Sequence, residues 1–107
     1  MLGGIEGIRL NKISKDVTPN YAYYPVVFDG YKYTRDEIYN KLKEVDINAR
    51  KYFYPLTSEF ACYKDCDYRG KGETPVARLV SERVLTLPIY VGLEGEVVDK
   101  VCEIIKI

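Results

Sequence analysis

The run Asn48-Ala-Arg-Lys-Tyr-Phe-Tyr-Pro-Leu56 places one arginine and three aromatic residues in five consecutive positions, directly before a proline. This pattern predicts a short strand over Ala49 to Tyr54 that ends at the proline. On such a strand Arg50, Tyr52 and Tyr54 share one face, because side chains alternate along a strand. A structural strand needs one apolar face only, so a cation between two phenols makes this stretch a candidate site.

Two interpretations of Arg50 remain open at this stage. An arginine between two phenols can hold a carboxylate or a phosphate bidentately, with the phenol hydroxyls as further donors. The structural alternative is a cation–π stack, or a salt bridge with a carboxylate on a helix.

The segments around this run predict the other elements of one small domain. A helix follows the capping box Thr34-Arg-Asp-Glu37, in which each side chain can bind the other residue's backbone amide. A second helix begins at Pro75, a residue that favours the first helical position. A third helix spans about Gly95 to Lys106, with an apolar stripe at helical spacing. Further strands are predicted over Tyr21 to Asp29 and over Val84 to Leu87.

This order of elements predicts an α+β fold with two layers, in which a small antiparallel or mixed three-stranded sheet carries about three helices on one face. Residues 1–20 are expected to form an irregular lead-in from an upstream domain, and residues 21–107 the folded domain. The loop from Leu56 to Glu73 is unusually long, so we expect it to be functional or to lie on another surface. The chain has 11 tyrosines, and an uncovered aromatic sheet face would indicate a partner.

Composition excludes several classes of function. The chain has 107 residues with 16 basic and 16 acidic side chains, so its formal net charge is zero. This balance argues against binding of nucleic acid or of an anionic membrane, although tyrosine-rich strands are also found in proteins that bind single-stranded RNA. No stretch approaches the roughly 20 apolar residues of a membrane span. The start resembles no signal peptide, so a cytoplasmic location is expected.

No catalytic residue and no metal site are predicted within the chain. It contains no histidine, which excludes nucleophile pairs of the Ser-His and Cys-His kinds. Cys62 and Cys66 have a spacing that could belong to a metal site, but Cys102 lies far along the chain in a predicted helix. Free thiols are therefore expected at all three positions.

Several motifs, taken together and in this order, resemble the carboxyl-terminal region of the DegT/DnrJ/EryC1/StrS family of sugar-nucleotide aminotransferases, which depend on pyridoxal phosphate. The motifs are Ala49-Arg-Lys-Tyr-Phe-Tyr-Pro55, Pro75-Val-Ala77, the run from Ser81 to Tyr90, and Asn20-Tyr-Ala-Tyr-Tyr-Pro-Val26. The resemblance covers about residues 8–107.

The resemblance implies that the chain is the small domain of an enzyme of fold type I. The large amino-terminal domain of such an enzyme carries the lysine that binds the cofactor and the aspartate that faces the pyridine nitrogen, and neither is found here. We therefore expect the full-length enzyme to bind pyridoxal phosphate, to aminate a keto group of a nucleotide-linked sugar with glutamate as donor, and to form a homodimer. The isolated chain is expected to bind no cofactor and to be inactive.

The resemblance also implies that the strand carrying Arg50 borders the active-site cleft. The expected substrate contacts are Arg50, Tyr52, Tyr54, Asn20 and Tyr21. Many family members carry a histidine shortly after the proline of this motif, where the present chain has Thr57 and Ser58, so a hydroxyl could replace its contact. The alternative hypothesis is a stand-alone binding module with the same fold and no chemistry.

Overall fold

The computed structural model of the chain describes residues 1–66 and 74–107. These residues contain four strands and three α-helices. In chain order the elements are β1 (Ile8–Leu10), β2 (Tyr24–Phe28), α1 (Arg35–Glu44), β3 (Arg50–Lys51), α2 (Pro75–Arg83), β4 (Val84–Leu87) and α3 (Gly95–Lys106). Two short 3-10 helices, Thr57–Glu59 and Ala61–Tyr63, lie between β3 and α2. The predicted α+β class is confirmed.

The strands form one antiparallel sheet in the order β1-β2-β4-β3. The sheet has a fourth strand, β1, which the sequence analysis did not predict. This strand lies within residues 1–20, which were expected to be irregular, and it pairs Ile8 with Phe28 and Leu10 with Val26. Three residues are too few for an alternating pattern to be recognised, so only the pairing partner makes this segment a strand.

The hydrophobic core lies between α1, α3 and one face of the sheet. Five side chains are completely buried there: Val26, Ile38, Leu42, Leu85 and Ile105. Ile38 and Leu42 stand four residues apart, so they project from the same side of α1. Among the described residues, α2 contributes nothing to this core. Ser81 is the α2 residue whose side chain is buried, and it is not part of the hydrophobic cluster. The expected packing of helices on one sheet face therefore describes α1 and α3.

The start of α1 is confirmed as a capping box. The Glu37 backbone amide donates to the Thr34 hydroxyl at 3.3 Å, and the Thr34 backbone amide donates to the Glu37 carboxylate at 2.7 Å. These two bonds satisfy amides that have no partner within the helix. They also fix the start of α1, whose first residue, Arg35, directly follows the Thr34 cap.

The strand predicted over Ala49 to Tyr54 is much shorter, since β3 contains only Arg50 and Lys51. The φ angle of Phe53 is +47°, in the left-handed region, which is incompatible with a strand. The Tyr54–Pro55 peptide bond that follows is cis. The alternation that was expected to put Arg50, Tyr52 and Tyr54 on one strand face is therefore wrong.

The strand predicted from Tyr21 is also shorter at its start. Tyr21 has a φ angle of +54°, and β2 begins at Tyr24. Pro25 lies beyond the last residue pair between β1 and β2, so the amide donor that proline lacks is not needed for pairing with β1.

The prediction of a long loop from Leu56 to Glu73 falls partly on residues 67–73, which lie outside the described residues. No helix of the described part has both the length and the apolar character of a membrane span.

Candidate functional site

Two clefts adjoin each other beside β3 and the start of β2. The first, called here the Arg50 cleft, has a volume of about 310 Å³ and is lined by Tyr23, Arg50, Lys51, Tyr52, Phe53, Tyr54, Pro55, Thr57 and Phe60. The second, the Asn20 cleft, has a volume of about 390 Å³ and is lined by Leu10, Asn11, Ile13, Pro19, Asn20, Tyr21, Ala22, Tyr23, Tyr24, Pro25 and Tyr52. Both volumes are in the lower part of the range of small-molecule sites, about 300–1,000 Å³.

The structure divides the five predicted substrate contacts between these clefts. Arg50, Tyr52 and Tyr54 line the Arg50 cleft, although they are not brought together by a regular strand. Asn20 and Tyr21 line the Asn20 cleft. Tyr52 also lines the Asn20 cleft, so it belongs to the boundary between the two.

Arg50 is held in place through its backbone. It lies opposite Thr86 in the β3–β4 pair, and the Thr86 hydroxyl donates to the Arg50 carbonyl at 3.0 Å. Within residues 1–66 and 74–107, its guanidinium makes no ion pair and lies over no aromatic ring. The structural alternatives considered for Arg50 are thus not found in the described chain, and its five N–H donors face solvent or a ligand.

Lys51, the other cation of the Arg50 cleft, is paired with a carboxylate that it shares with Arg35. Its amine is 2.7 Å from Asp36 of α1 and 4.9 Å from the centre of the Tyr39 ring. The hydrogen bond from Lys51, together with the nearby charge of Arg35, lowers the pKa of Asp36 below its usual range. The carboxylate is therefore ionised at neutral pH, and among the described residues Arg50 is the cation of the cleft lining that has no carboxylate partner.

Tyr54 is positioned by an arginine that the sequence analysis did not single out. Arg35 is only 3% exposed, and its guanidinium carbon lies 4.7 Å from the centre of the Tyr54 ring. Its Nε donates to Asp36 at 2.7 Å, and its Nη1 donates to the carbonyl of Ser81 at 2.9 Å. A cation in the first turn of a helix is disfavoured by the helix dipole. That unfavourable placement was the sequence signal for a role beyond helix formation.

Tyr52 takes part in a cluster of three aromatic rings. Its ring centre lies 5.0 Å from that of Tyr23 and 4.2 Å from that of Phe53, both in tilted arrangements. The separation from Tyr23 is typical of favourable aromatic pairs, and the separation from the adjacent Phe53 is slightly shorter. Tyr23 was not among the predicted contacts, yet it lines both clefts and forms the boundary between them with Tyr52.

The Asn20 cleft begins at a tight turn. The Asn20 side-chain oxygen accepts a hydrogen bond from the Ala22 backbone amide at 3.1 Å, which leaves the side-chain NH₂ group as a donor. Tyr21 follows in a left-handed conformation with 64% of its side chain exposed. The turn therefore presents an exposed phenol beside an amide donor.

The linings of the two clefts can donate hydrogen bonds and stack planar groups, but they hold no acid–base pair. Neither lining contains an aspartate or a glutamate among the described residues. Thr57, one of the two residues expected to stand in for a histidine of the family, lines the Arg50 cleft. Cys62 and Cys66 are exposed thiols, and no three potential metal ligands of the described chain gather in one place.

A third cavity, of about 350 Å³, lies between α3 and the end of β4. Its lining includes Leu87, Val97, Val101 and Cys102 and has no charged side chain. The side chains of this lining are therefore mainly suited to an apolar occupant.

The described residues do not fit a complete site for pyridoxal phosphate. Such a site requires a lysine amine that is free to react and a carboxylate that faces the pyridine nitrogen. The lysine that lines one of the two clefts is Lys51, and its amine is already held by Asp36.

Comparison with known proteins identifies related sequences over nearly the whole chain. A family model for the DegT/DnrJ/EryC1/StrS aminotransferase family matches residues 1–106. A dTDP-4-amino-4,6-dideoxy-D-glucose transaminase of Escherichia coli is 36% identical over 106 residues. That match covers 98% of this chain but only 29% of the relative, so the chain spans less than a third of its length.

Solved structures show the same fold. An aminotransferase from Streptoalloteichus hindustanus, named TlmJ, superposes with a TM-score of 0.74 at 21% identity, over 98% of this chain and 27% of its own. An aminotransferase from Bacillus cereus, described as dependent on pyridoxal phosphate, superposes with a TM-score of 0.64 at 19% identity, over 79% of this chain and 22% of its own. In each case the matching region is a minor part of the larger protein.

Proposed function

The chain belongs to the DegT/DnrJ/EryC1/StrS aminotransferase family, and we propose that it is the carboxyl-terminal part of an enzyme that aminates a keto group of a nucleotide-linked sugar. The sequence match to the transaminase of Escherichia coli supports this activity, because that relative is named for an amino sugar linked to dTDP. Since the chain corresponds to 29% of that relative, the activity belongs to a longer protein.

The observation that carries the proposal is the Arg50 cleft. It combines an arginine that has no carboxylate partner in the described chain with the phenols of Tyr52 and Tyr54. A lining of this kind binds an anionic, hydroxyl-rich molecule by hydrogen bonds and stacking. In the intact enzyme this cleft, together with Asn20 and Tyr21, supplies contacts to the substrate.

The rest of the proposal concerns the whole enzyme. Pyridoxal phosphate is bound by an upstream domain and supplies the chemistry of amino transfer, with glutamate as the donor. The full-length protein is a homodimer in the cytoplasm. The isolated chain is inactive, because the cofactor and the residues that hold it lie outside residues 1–107.

The test is an activity assay on the product of the full-length gene. The purified enzyme is incubated with glutamate and a set of nucleotide-linked keto sugars, and the formation of 2-oxoglutarate is followed. We expect turnover with at least one such sugar, and a rise in KM for the sugar in the Arg50→Gln variant. The matched control is Arg9→Gln, since Arg9 is exposed and lines neither cleft. Absence of turnover with every keto sugar would contradict the proposed activity.

A second measurement tests the inactivity of the isolated chain. The chain is mixed with pyridoxal phosphate and treated with borohydride, which fixes a covalent bond between cofactor and lysine. We expect no incorporation of cofactor by mass spectrometry and no turnover. Specific incorporation at one lysine would contradict the expected lack of cofactor binding. A gene that encodes no lysine-bearing upstream domain would favour the stand-alone module instead.

A further inference from the structure

The two exposed cysteines of the chain lie close together in the segment that follows β3. Cys62 belongs to the 3-10 helix Ala61–Tyr63, and Cys66 follows this helix after one further turn. The Cys66 thiol is 3.8 Å from the carbonyl oxygen of Cys62. The side chain of Cys66 is therefore directed back toward Cys62, and its sulfur lies within one side-chain length of that residue's backbone.

Exposure separates this pair from the third thiol of the chain. Cys62 and Cys66 are exposed, whereas Cys102 is buried and packs in the hydrophobic core. A cysteine reacts with a dissolved oxidant as its thiolate, and only where the oxidant can reach the sulfur. An oxidant in solution therefore reacts with Cys62 and Cys66 in preference to Cys102.

A disulfide is the product that two such thiols form without help from further residues. A structural zinc site takes four ligands, and no three potential ligands gather in one place in the part of the chain that the structure describes. A disulfide needs two sulfurs on residues whose Cα atoms lie within about 7 Å of each other. The chain between the two cysteines is already folded into turns, since the Cys66 amide donates to the Tyr63 carbonyl at 3.1 Å. Tightening of this turn and rotation of the Cys62 side chain bring the sulfurs together.

The same segment forms one wall of the Arg50 cleft. Phe60 lines the cleft, and its carbonyl accepts a hydrogen bond at 2.9 Å within the turn that carries Cys62. The neighbouring Glu59 forms an ion pair with Arg78 of α2. Phe60 therefore lies between an ion pair that holds the segment on α2 and the turn that contains the thiols.

We propose that Cys62 and Cys66 are a redox-active pair whose disulfide changes the shape of the Arg50 cleft. The oxidant is a disulfide of low molecular weight, such as oxidised glutathione. Closure of the pair tightens the turn and moves Phe60 in the cleft wall. This effect rests on the proposed function, which takes the cleft as a substrate contact, whereas formation of the disulfide does not. Exposed disulfides are readily reduced again, as a regulatory pair requires.

Two thiol–disulfide exchanges complete the reaction. The thiolate of one cysteine attacks a sulfur of oxidised glutathione, forms a mixed disulfide and releases one glutathione thiolate, which takes up a proton. The thiolate of the other cysteine attacks the protein sulfur of the mixed disulfide, and the second glutathione leaves in the same way. The protein loses two electrons and two protons, and oxidised glutathione gains them. An excess of reduced glutathione reverses both exchanges.

The first experiment tests the disulfide itself. The chain is equilibrated with reduced and oxidised glutathione in varied ratios, alkylated in denaturant and digested with trypsin, which cleaves after Lys64 between the two cysteines. We expect mass spectrometry to find Cys62 and Cys66 linked within one chain and Cys102 alkylated, and reduced glutathione to reverse the link. Cys62→Ser and Cys66→Ser should each abolish the link, while the matched control Cys102→Ala should keep it. Circular dichroism establishes that each variant is folded.

The second experiment tests the effect on the cleft. Arg50 and Tyr54 line the Arg50 cleft from a different segment, so their amide NMR resonances report its shape apart from the turn that holds the thiols. We expect oxidation to shift these resonances, and to change the affinity for inorganic pyrophosphate measured by calorimetry, in the wild type but not in Cys62→Ser.

Two results would overturn the inference. If no link within one chain forms at any glutathione ratio, or if the cysteines link only between chains, they are not a redox-active pair. If the link forms while the Arg50 and Tyr54 resonances and the pyrophosphate affinity stay unchanged, the disulfide does not act on the cleft.

Failure of this inference can be told apart from failure of the proposed function. If the full-length enzyme aminates nucleotide-linked sugars at the same rate in reducing and oxidising buffers, in the wild type and in Cys62→Ser alike, only the redox control is wrong. If the pair and the cleft respond as described but the full-length protein aminates none of the sugars, only the activity is wrong.

Discussion

The core between α1, α3 and the sheet and the two clefts beside β3 use apolar side chains in opposite ways. In the core, Ile38, Leu42 and Leu85 are completely buried. In the clefts, Tyr21 is 64% exposed and Phe53 68%. Burial of such large rings is among the strongest sources of stability available to a small domain. Their exposure indicates that the cleft region is adapted to a ligand or to another surface and adds less than the core to the stability of the fold.

The largest expected effect is on the free energy of unfolding, to which the core should contribute far more than the cleft region. Leu85→Ala should reduce the free energy of unfolding by about 2–5 kcal/mol, because it leaves a cavity among fully buried side chains. Tyr21→Ala, the matched truncation in the cleft region, should change it by no more than about 0.5 kcal/mol. Denaturant unfolding followed by circular dichroism measures both. Similar losses in the two variants would show that the clefts also hold the fold together.

Arg35 connects the two regions, so its replacement gives the next largest effect. Arg35→Met should reduce the free energy of unfolding by about 1–3 kcal/mol, because the buried carbonyl of Ser81 loses its donor. The same change should release the Tyr54 ring, which the guanidinium contacts at 4.7 Å. Unfolding by urea measures the stability, and the ring resonances of Tyr54 report its release.

The matched control for Arg35 is Arg50→Met, which removes a guanidinium that has no side-chain partner in the described chain. Its stability should stay within about 0.5 kcal/mol of the wild type. If Arg50→Met proves as costly as Arg35→Met, Arg50 has a structural role and the assignment of a ligand to it is mistaken.

Local sequence signals predicted α1 and α3 well, and the structure shows why. The capping box at Thr34 depends on residues three positions apart, so its geometry is contained in the sequence. The apolar stripe of α3 likewise predicted a helix over about Gly95 to Lys106, and these are the bounds observed. Signals that depend on distant partners were missed. The strand β1 exists only through its pairing with β2, and the burial of Arg35 depends on Ser81, which lies 46 residues away.

The candidate site was predicted by composition and not by geometry. The sequence grouped Arg50, Tyr52 and Tyr54, and the structure does place all three in one cleft. The predicted reason, a shared strand face, is wrong because Phe53 has a φ angle of +47°. A non-glycine residue in this conformation persists only when surrounding contacts hold it. The close ring contact between Phe53 and Tyr52, at 4.2 Å, is one such contact that a strand pattern could not predict.

The helix cap should give a smaller effect that is confined to the core region. Thr34→Ala removes the hydroxyl that accepts from the Glu37 amide, and it should cost about 0.5–2 kcal/mol. Thr34→Ser keeps the hydroxyl and should recover most of this loss. Because Thr34 lines neither cleft, binding of inorganic pyrophosphate to the Arg50 cleft should not change in the folded variants. A loss of binding in a fully folded Thr34→Ala variant would mean that the clefts depend on the start of α1 more than their contacts indicate.

The smallest expected effect is the loss of stability at low pH. Removing the charge of Asp36 should lower stability but strengthen anion binding in the Arg50 cleft. The hydrogen bond from Lys51 lowers the pKa of Asp36, and hydrogen bonds from Thr34 lower the pKa of Glu37. A carboxylate whose pKa is lowered by folding stabilises the folded state fully above its unfolded pKa of about 4, and this contribution is lost as pH falls further. Stability should therefore be level from pH 7 to about 5 and decrease below about 4. The decrease should be modest, because the Asp36 side chain is 58% exposed.

Asp36→Asn at pH 7 imitates this loss of charge and tests both regions at once. In the core region it should slightly lower the midpoint of urea unfolding, since the bridge between α1 and β3 is weakened. In the Arg50 cleft it should strengthen binding of inorganic pyrophosphate, because a negative charge that pairs with Lys51 of the lining is removed. Glu37→Gln is the control, as glutamine keeps the capping-box contact and lies away from Lys51. If both pyrophosphate binding and stability fall in Asp36→Asn, the carboxylate positions Lys51 for the anion. The core and the Arg50 cleft would then be coupled through Asp36.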